Sequence, residues 1–365
     1  MKKLTASFLI TGTASNSPDI RYATGFVAPD SVVAICQPNK TVLVVSAMEY
    51  GRALKQSKDC IVESPDTLGL TAEQQRSVAE WTLAALAKHG ISTVDVDATF
   101  PLGLARTLEA SGISLMISGT SFLKQARQVK TEEEIRHIAR AQKAARAAMR
   151  AVGKAIAEAE PGRGGVLRWQ GKTLTSEIAR KIVRGVVLEF NCIDEDTIIA
   201  GGVQAADPHE GGSGPLRTGE WIVCDIFPRS LDSGYWGDMT RTFMNGKPSG
   251  EQKRLYDAVK SAHDKAMAML IPGVLGSAVH AKAAASLAES GFSTFTKNGV
   301  PHGFIHSTGH GVGLEIHEEP RLSPSGGTLL ENMVVTVEPG LYYPDLGGVR
   351  IEDLVVIRKT GPQVL

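Results

Sequence analysis

Five residues in the C-terminal part of the chain have the side chains of metal ligands: Asp225, Asp238, His310, Glu338 and Glu352. Asp225 follows the apolar run Trp221-Ile222-Val223-Cys224, and Asp238 opens the segment Asp238-Met239-Thr240-Arg241-Thr242-Phe243. His310 stands in Gly309-His310-Gly311-Val312-Gly313, where glycines let a backbone approach closely. Glu338 ends the apolar run Met333 to Val337, and Glu352 sits in Arg350-Ile351-Glu352-Asp353 before another apolar run. A carboxylate at the end of a buried strand is costly unless it is paired or ligated. Four carboxylates and one imidazole can hold two divalent ions, and two ions about 3.5–4 Å apart can activate a shared water and clamp a tetrahedral intermediate. Ligation mostly by oxygen suits manganese, iron, cobalt or zinc. Taken singly, each residue has a plainer reading. An Asp after a strand is usually a turn or cap residue, Gly-His-Gly is more often a loop, and Asp232 and Asp353 show how easily decoys arise. The weight lies in the order of all the segments.

Regular elements must position these groups. The first third of the chain alternates strand and helix. Ser31 to Cys36 and Thr41 to Val45 read as a hairpin around Pro38-Asn39-Lys40. Thr71 with Gln74 resembles a capping box ahead of the helical pattern Val78, Trp81, Leu83 and Leu86, which stops at Gly90. Pro101 opens another helix ending near Gly112, and Ile113 to Ile117 reads as a strand. A boundary near Ser121 to Lys130 divides an α/β domain, 1–123, from a second domain, 124–365. Thr131 and Glu134 make another capping box and open a long helix with apolar positions at Ile135, Ile138, Ala139, Ala145 and Met149; Gln142 interrupts that stripe. Further helices are expected at Thr175 to Phe190, Ser249 to Leu270 and Ser277 to Glu289. Strands are expected at Glu195 to Ala200, Trp221 to Ile226, Tyr235 to Met244, Met333 to Glu338 and Val349 to Ile357. Pro161 to Gly165, His209 to Pro215 and Pro324 to Thr328 read as loops. The mixture points to an α+β fold.

Composition excludes several classes. At 365 residues the chain is long enough for about two or three domains. Lys plus Arg and Asp plus Glu number 39 each, which leaves no electrostatic footprint for nucleic acid or an acidic membrane. Cys36, Cys60, Cys192 and Cys224 make no C-x-x-C pair, so they read as reduced structural cysteines of a cytoplasmic protein. Lys2 and Lys3 precede Phe8-Leu9-Ile10, and Ala14 mimics a cleavage site. Thr5, Ser7, Thr11 and Thr13 interrupt the run, so a first strand is the better reading than a signal peptide. No stretch is long enough to span a bilayer.

From about Lys124 onward the chain resembles the pita-bread metallopeptidases, a family that includes methionine aminopeptidase, Xaa-Pro aminopeptidase and prolidase. The resemblance is carried by Ser307-Thr308-Gly309-His310-Gly311-Val312-Gly313-Leu314-Glu315-Ile316-His317-Glu318, by Thr336-Val337-Glu338-Pro339-Gly340 and by Val349-Arg350-Ile351-Glu352-Asp353. It implies duplicated α/β halves around a curved antiparallel sheet. It also implies two divalent ions per subunit, with manganese expected ahead of cobalt, zinc or iron. Asp225 would chelate one ion, His310 with Glu338 the other, and Asp238 and Glu352 would bridge. His209 matches a family histidine near the scissile bond, and His306 and His317 match two active-site histidines of the proline-specific branch. The implied mechanism has the activated water attack the scissile carbonyl, the metals and a histidine stabilise the oxyanion, and Glu338 carry the proton to the leaving nitrogen. Arg350 and Tyr342 fit supporting or substrate-side roles. Arg21-Tyr22-Ala23-Thr24-Gly25-Phe26 resembles the Tyr-x-Thr-Gly-Phe segment of the smaller N-terminal creatinase/prolidase-like domain. Relatives use that domain in dimer contacts, so the resemblance implies a homodimer. This sequence departs from the family at Phe227, which stands where most relatives have glycine. Asp238 also follows Asp225 by thirteen residues, two more than in most relatives; a longer hairpin over Pro228 to Tyr235 would absorb them.

The implied activity is removal of the N-terminal residue from peptides with proline second, by an Xaa-Pro aminopeptidase or an Xaa-Pro dipeptidase. The alternatives are an aminopeptidase of other specificity and a creatinase-like or purely binding relative; the intact ligand set argues against the last two. A serine hydrolase lacks a complete G-x-S-x-G elbow, and His317-Glu318-Glu319-Pro320-Arg321 lacks the second histidine of a H-E-x-x-H site. Arg321 lies in the region where a dipeptidase needs a carboxylate-binding arginine. Its plainer reading, shared with His302 and Asp353, is surface or structural.

Overall fold

The computed structural model describes residues 6–13, 17–118 and 121–365, so Lys2, Lys3, Thr5 and Ala14 lie outside the described residues. The chain divides into two compact units, Met1–Arg127 and Gln128–Leu365. Residues 123 and 124, where the sequence suggests a boundary, lie inside the helix Phe122–Gln128.

The first unit is built on one six-stranded sheet. Its strands are β1 (Phe8–Gly12), β2 (Val32–Cys36), β3 (Thr41–Val44), β4 (Cys60–Glu63), β5 (Thr93–Asp97) and β6 (Ser114–Ser118), in the order β4-β3-β2-β1-β5-β6. β2 pairs antiparallel with both β1 and β3, while β4 joins β3, β5 joins β1 and β6 joins β5 in parallel. Every residue of β2 is buried, and alternate residues enter different cores: Val32, Ala34 and Cys36 one, Val33 and Ile35 the other. A strand covered on both faces reads as an unbroken apolar run, which is why this hairpin is legible by sequence. Thr71 and Gln74 do exchange side-chain and backbone bonds at 3.0 and 3.4 Å. They close only a 3₁₀ turn, Gln74–Arg76, and the helix Val78–Lys88 starts afresh at Ser77, whose hydroxyl accepts from the Glu80 N–H.

The second unit has two α/β halves. In the first, α1 (Glu132–Glu158) and α2 (Ser176–Glu189) pack on the antiparallel sheet β7 (Ile198–Gly201), β8 (Ile222–Ile226) and β9 (Met239–Phe243). In the second, α3 (Gly250–Met267) and α4 (Gly276–Glu289) accompany β10 (Gly309–Gly311), β11 (Glu318–Leu322), β12 (Val334–Val337), β13 (Gly340–Tyr343), β14 (Gly347–Arg350), β15 (Asp353–Arg358) and β16 (Gly361–Val364). Five of these form a sheet in the order β11-β10-β12-β15-β16, and β13 pairs with β14. Helix α1 opens on a complete Thr131/Glu134 capping box, with three glutamates in its first turn facing the positive end of the helix dipole. Its apolar stripe buries Ile135, Ile138, Ala145, Met149, Val152 and Ile156, and Gln142 is buried among them.

Three strands differ from expectation. The one expected at Glu195 to Ala200 begins only at Ile198. Of Tyr235 to Met244 only Met239–Phe243 is strand, because the N–H groups of Trp236 and Gly237 bond to loop carbonyls of Gly313 and Pro228. Val349 to Ile357, apolar throughout apart from its charged middle, is two strands in two sheets. β14 pairs with β13 and β15 with β12, and Ile351-Glu352 form the crossing between them.

Candidate metal centre

β8 and β9 form a hairpin in which Asp225 lies opposite Thr240. The longer connection carries a two-residue strand, Arg229–Ser230, paired with Cys192–Ile193. The connection ends at Gly237-Asp238, hard against α1. A Cβ on Gly237 would lie 2.5 Å from the Gln142 nitrogen and 2.6 Å from the Ala141 carbonyl carbon, so only glycine lets the two backbones meet. Asp238 follows, buried, one residue before β9.

His310 is the central residue of β10. A Cβ on Gly309 would fall 2.0 Å from the Thr336 carbonyl oxygen, so the glycine before the histidine lets β10 press against β12. The His310 Nδ1 lies 3.1 Å from the Gly311 carbonyl. A carbonyl only accepts, so Nδ1 carries the proton toward it and Nε2 turns inward. Nε2 lies 3.1 Å from Glu338 Oε1 and 3.8 Å from Asp238 Oδ2. Thr336 completes this side: its hydroxyl accepts from the His310 N–H and donates to Glu338 Oε1 at 3.1 Å. Glu352, at the crossing between sheets, accepts from the Thr240 hydroxyl at 2.7 Å, and its N–H donates to the Thr240 carbonyl. Its own carbonyl accepts from Arg241, which also pairs with Asp353 at 2.6 Å.

All five ligand-type residues line one cavity of about 380 Å³. Ligand atoms of Asp238, His310 and Glu352 lie within 4.8 Å of one another. Burial, followed by the charges of Glu352, Asp225 and Glu338, pushes the Asp238 carboxyl well above the usual range. Burial and then Glu338 and Asp225 do the same to Glu352. Glu338 goes the other way. Burial opposes its charge, but the hydrogen bond and charge of His310, with His306 and Arg350 beyond, hold it at about 2. Asp225 Oδ2 accepts from Arg350 at 2.7 Å, while its buried Oδ1 has no hydrogen-bond partner. An orphaned carboxylate oxygen, crowded carboxylates and an inward imidazole nitrogen are what a divalent cation would satisfy, so the donor set fits the ions expected there.

A second group of polar residues surrounds this cluster. Arg350 is buried and donates to Asp225, to the Tyr342 hydroxyl at 2.8 Å and to the Thr240 hydroxyl at 3.2 Å. Tyr342 in turn lies 2.9 Å from His306 Nε2, while His306 Nδ1 lies 2.7 Å from the Ser307 carbonyl. Tyr342 therefore accepts from arginine and donates to histidine. It is fully buried, so a substrate-side role passes through Arg350 and His306 and not through direct contact. His317 meets His310 edge-on at 4.3 Å between ring centres; burial, then the His310 charge, lowers its imidazole to about 4. His209 is exposed at the rim of the cavity. His302, stacked on Phe295 at 5.2 Å, and Asp353, bound to Arg241 and His263, hold structural places.

Arg321 lines the cavity beside His317, although the sequence gives it a plainer reading. Phe227 lines it too and, with Ile198 and Ile316, supplies apolar wall. The extended connection that carries Phe227 is pinned by Trp236, whose backbone N–H donates to Gly313 and whose indole N–H donates to Leu314 at 3.3 Å. Sequence reading singled out neither Thr240 nor Thr336, whose hydroxyls orient Glu352 and Glu338. The Thr-Arg-Thr run around Asp238 is the signal that could have found the first.

Residues 136–359 match the sequence model of metallopeptidase family M24, and residues 2–129 match that of the creatinase/prolidase N-terminal domain. An Xaa-Pro dipeptidase of Pyrococcus horikoshii is 30% identical over 357 residues, covering 96% of this chain and 91% of that one. Among solved structures, an Xaa-Pro dipeptidase from Bacillus anthracis superposes with a TM-score of 0.81 at 26% identity, over 98% of this chain and 92% of that one. An X-Pro aminopeptidase from Thermotoga maritima superposes with a TM-score of 0.80 at 26% identity, over 98% and 94%.

Proposed function

Because the chain belongs to metallopeptidase family M24, we propose that it hydrolyses the bond before proline in peptides whose second residue is proline, as an Xaa-Pro aminopeptidase or Xaa-Pro dipeptidase. The observation that carries this reading is the gathering of Asp225, Asp238, His310, Glu338 and Glu352 with His209, His306 and His317 around one cavity. Its volume of about 380 Å³ lies in the range, about 300–1,000 Å³, of sites that enclose a small molecule. Two divalent ions, when bound, supply Lewis acidity and a water that ionises near neutral pH. Hard oxygen donors and one imidazole favour manganese for that role. A homodimer in the cytoplasm is part of the proposal; the family likeness supports the dimer, and four free cysteines support the compartment.

The protein's own groups do the rest. The nitrogen of an Xaa-Pro bond has no hydrogen, so the site cannot select the substrate through that donor, and proline must be recognised by shape. Ile198, Phe227 and Ile316 offer apolar wall for a pyrrolidine ring. The leaving nitrogen needs a proton; Glu338, held ionised by His310, would take one from the attacking water and pass it on. His317, edge-on to His310, would offer a donor to the carbonyl oxygen as it gains charge, while His306, which donates to the Ser307 carbonyl and accepts from the Tyr342 hydroxyl, would shape the cavity wall beside it. Arg350 holds Asp225 and Tyr342 in register for both.

The test is incubation of the manganese-loaded protein with Ala-Pro and with Ala-Pro-Ala-Ala, with and without chelator. Chelator-sensitive cleavage of the longer peptide establishes an aminopeptidase; cleavage of the dipeptide alone establishes a dipeptidase. Cleavage of neither by a protein that binds the ions overturns the proline reading. In a dipeptidase, Arg321→Leu is expected to raise KM for Ala-Pro about ten- to hundredfold, the value of one charge-assisted hydrogen bond to the free carboxylate. Equal effects on dipeptides and on amidated dipeptides would remove Arg321 from carboxylate recognition. Chelation is also expected to lower the thermal midpoint, because ions that bind only the folded form stabilise it by about 4 kcal/mol at a thousand times Kd. An unchanged midpoint would speak against ion binding at this buried cluster.

A further inference from the structure

Gln142 breaks the apolar stripe of α1, yet it is 1% exposed. Its side chain has a specific partner 96 positions along the chain. The Asp238 N–H donates to Gln142 Oε1 at 2.7 Å, and Gln142 Nε2 donates to the Asp238 carbonyl at 2.8 Å. Donor meets acceptor in both bonds, so the amide orientation is fixed by its partners. One side chain thus supplies Asp238 with the pair of bonds that a neighbouring strand would give. No strand takes that place: the residues just before Asp238 bond to loop carbonyls of Gly313 and Pro228. Helix α1 substitutes for the missing strand, and Gly237 lets its backbone come close enough for the glutamine to reach.

We propose that Gln142 is the positioning residue for Asp238, holding its backbone so that its carboxylate meets His310 and Glu352 at ion-binding distance. The inference rests on the reading of Asp238 as a ligand. Asp238 ends an extended connection and must carry its carboxylate to a cluster whose ligand atoms lie within 4.8 Å of one another. A ligand at the end of such a connection is only as well placed as its backbone. Groups that orient metal ligands without touching the ion typically change metal affinity about 10–100-fold when replaced.

The experiment titrates the ion-free, full-length protein with Mn²⁺ by calorimetry, beside thermal unfolding of the same samples. Gln142→Leu, which removes both bonds, is expected to weaken Mn²⁺ binding about 10–100-fold. Gln142→Glu keeps the acceptor for the Asp238 N–H and is expected to fall between the parent and Gln142→Leu. It keeps the proposal testable should the leucine variant fail to fold. Asn245→Leu is the matched comparison. Asn245 is another buried amide holding backbone, at 2.9 and 2.8 Å from the Ile156 and Ala159 carbonyls, away from the cluster. It is expected to lower the unfolding midpoint while leaving Mn²⁺ affinity within twofold. If Gln142→Leu behaves like Asn245→Leu, losing stability but not affinity, Gln142 is structural and the proposal is overturned. Asp238→Ala separates the two claims: unchanged Mn²⁺ binding in that variant would sink the ligand assignment itself.

Discussion

Replacing Glu338 by glutamine is expected to lower kcat/KM about 10²–10⁴-fold with Mn²⁺ at saturation, the range for loss of a general acid–base group. The substitution keeps the size of the side chain and an oxygen to accept from Thr336, which donates to Glu338 Oε1 at 3.1 Å. It removes the negative charge that His310 holds ionised, and with it the carboxylate that would take a proton from the attacking water and give it to the leaving nitrogen. Two effects are separable. A Mn²⁺ titration reads what the variant loses as a ligand, and kcat under saturating ion reads what it loses in proton transfer. His310→Ala is expected to fail chiefly in the first. Full peptidase activity in either variant, with metal supplied, would mean that the centre is wrongly assigned.

The second large effect is on stability. Arg350→Leu removes a buried guanidinium and leaves Asp225 with neither oxygen paired, because Oδ1 already lacks a hydrogen-bond partner. Breaking a buried ion pair from one side costs about 3–5 kcal/mol. The Tyr342 hydroxyl and the Pro208 carbonyl lose a donor at the same time. Denaturant unfolding of the ion-free protein, followed through the tryptophans of the second unit, is the measurement. Asp225→Asn in the same background is expected to recover part of the loss, since it removes the stranded charge. A change under about 1 kcal/mol would show that water reaches Asp225 freely.

Much of this protein was legible before its structure. Thr131 and Glu134 announce the start of a long helix, and β2 declares itself by an apolar run that only a doubly covered strand carries. The five residues of ligand type stand at or near strand ends and between glycines, where close backbone approach and carboxylate burial leave marks in sequence. What was not legible depends on contacts between distant residues. The break at Ile351-Glu352 is hidden because apolar residues resume on both sides of the charged middle, Val349 before it and Leu354 to Ile357 after it. It arises because the Glu352 N–H bonds to Thr240, in a different sheet. The extra length before Asp238 could be counted, but not its docking on Gly313 and Leu314. Thr71 and Gln74 formed the bonds their types allow and still did not begin the helix, because Ser77 offered a second cap three residues before Glu80. Gln142 showed itself only as a flaw in a pattern; its partner could not be guessed from spacing.

The two halves of the second unit each hold only part of the centre. Asp225 and Asp238 come from the hairpin of the first, and His310, Glu338 and Glu352 from the strands of the second. Between them the chain passes through the exposed segment Lys247-Pro248-Ser249. Ions shared by both sets of carboxylates would therefore tie together two stretches of polypeptide joined otherwise by packing and one surface loop. In topological terms they close a ring in the chain, as a covalent bridge does, and narrow what the unfolded state can reach. All four cysteines are free; the bridging that sulfur supplies in other proteins would fall here to carboxylates and a pair of cations.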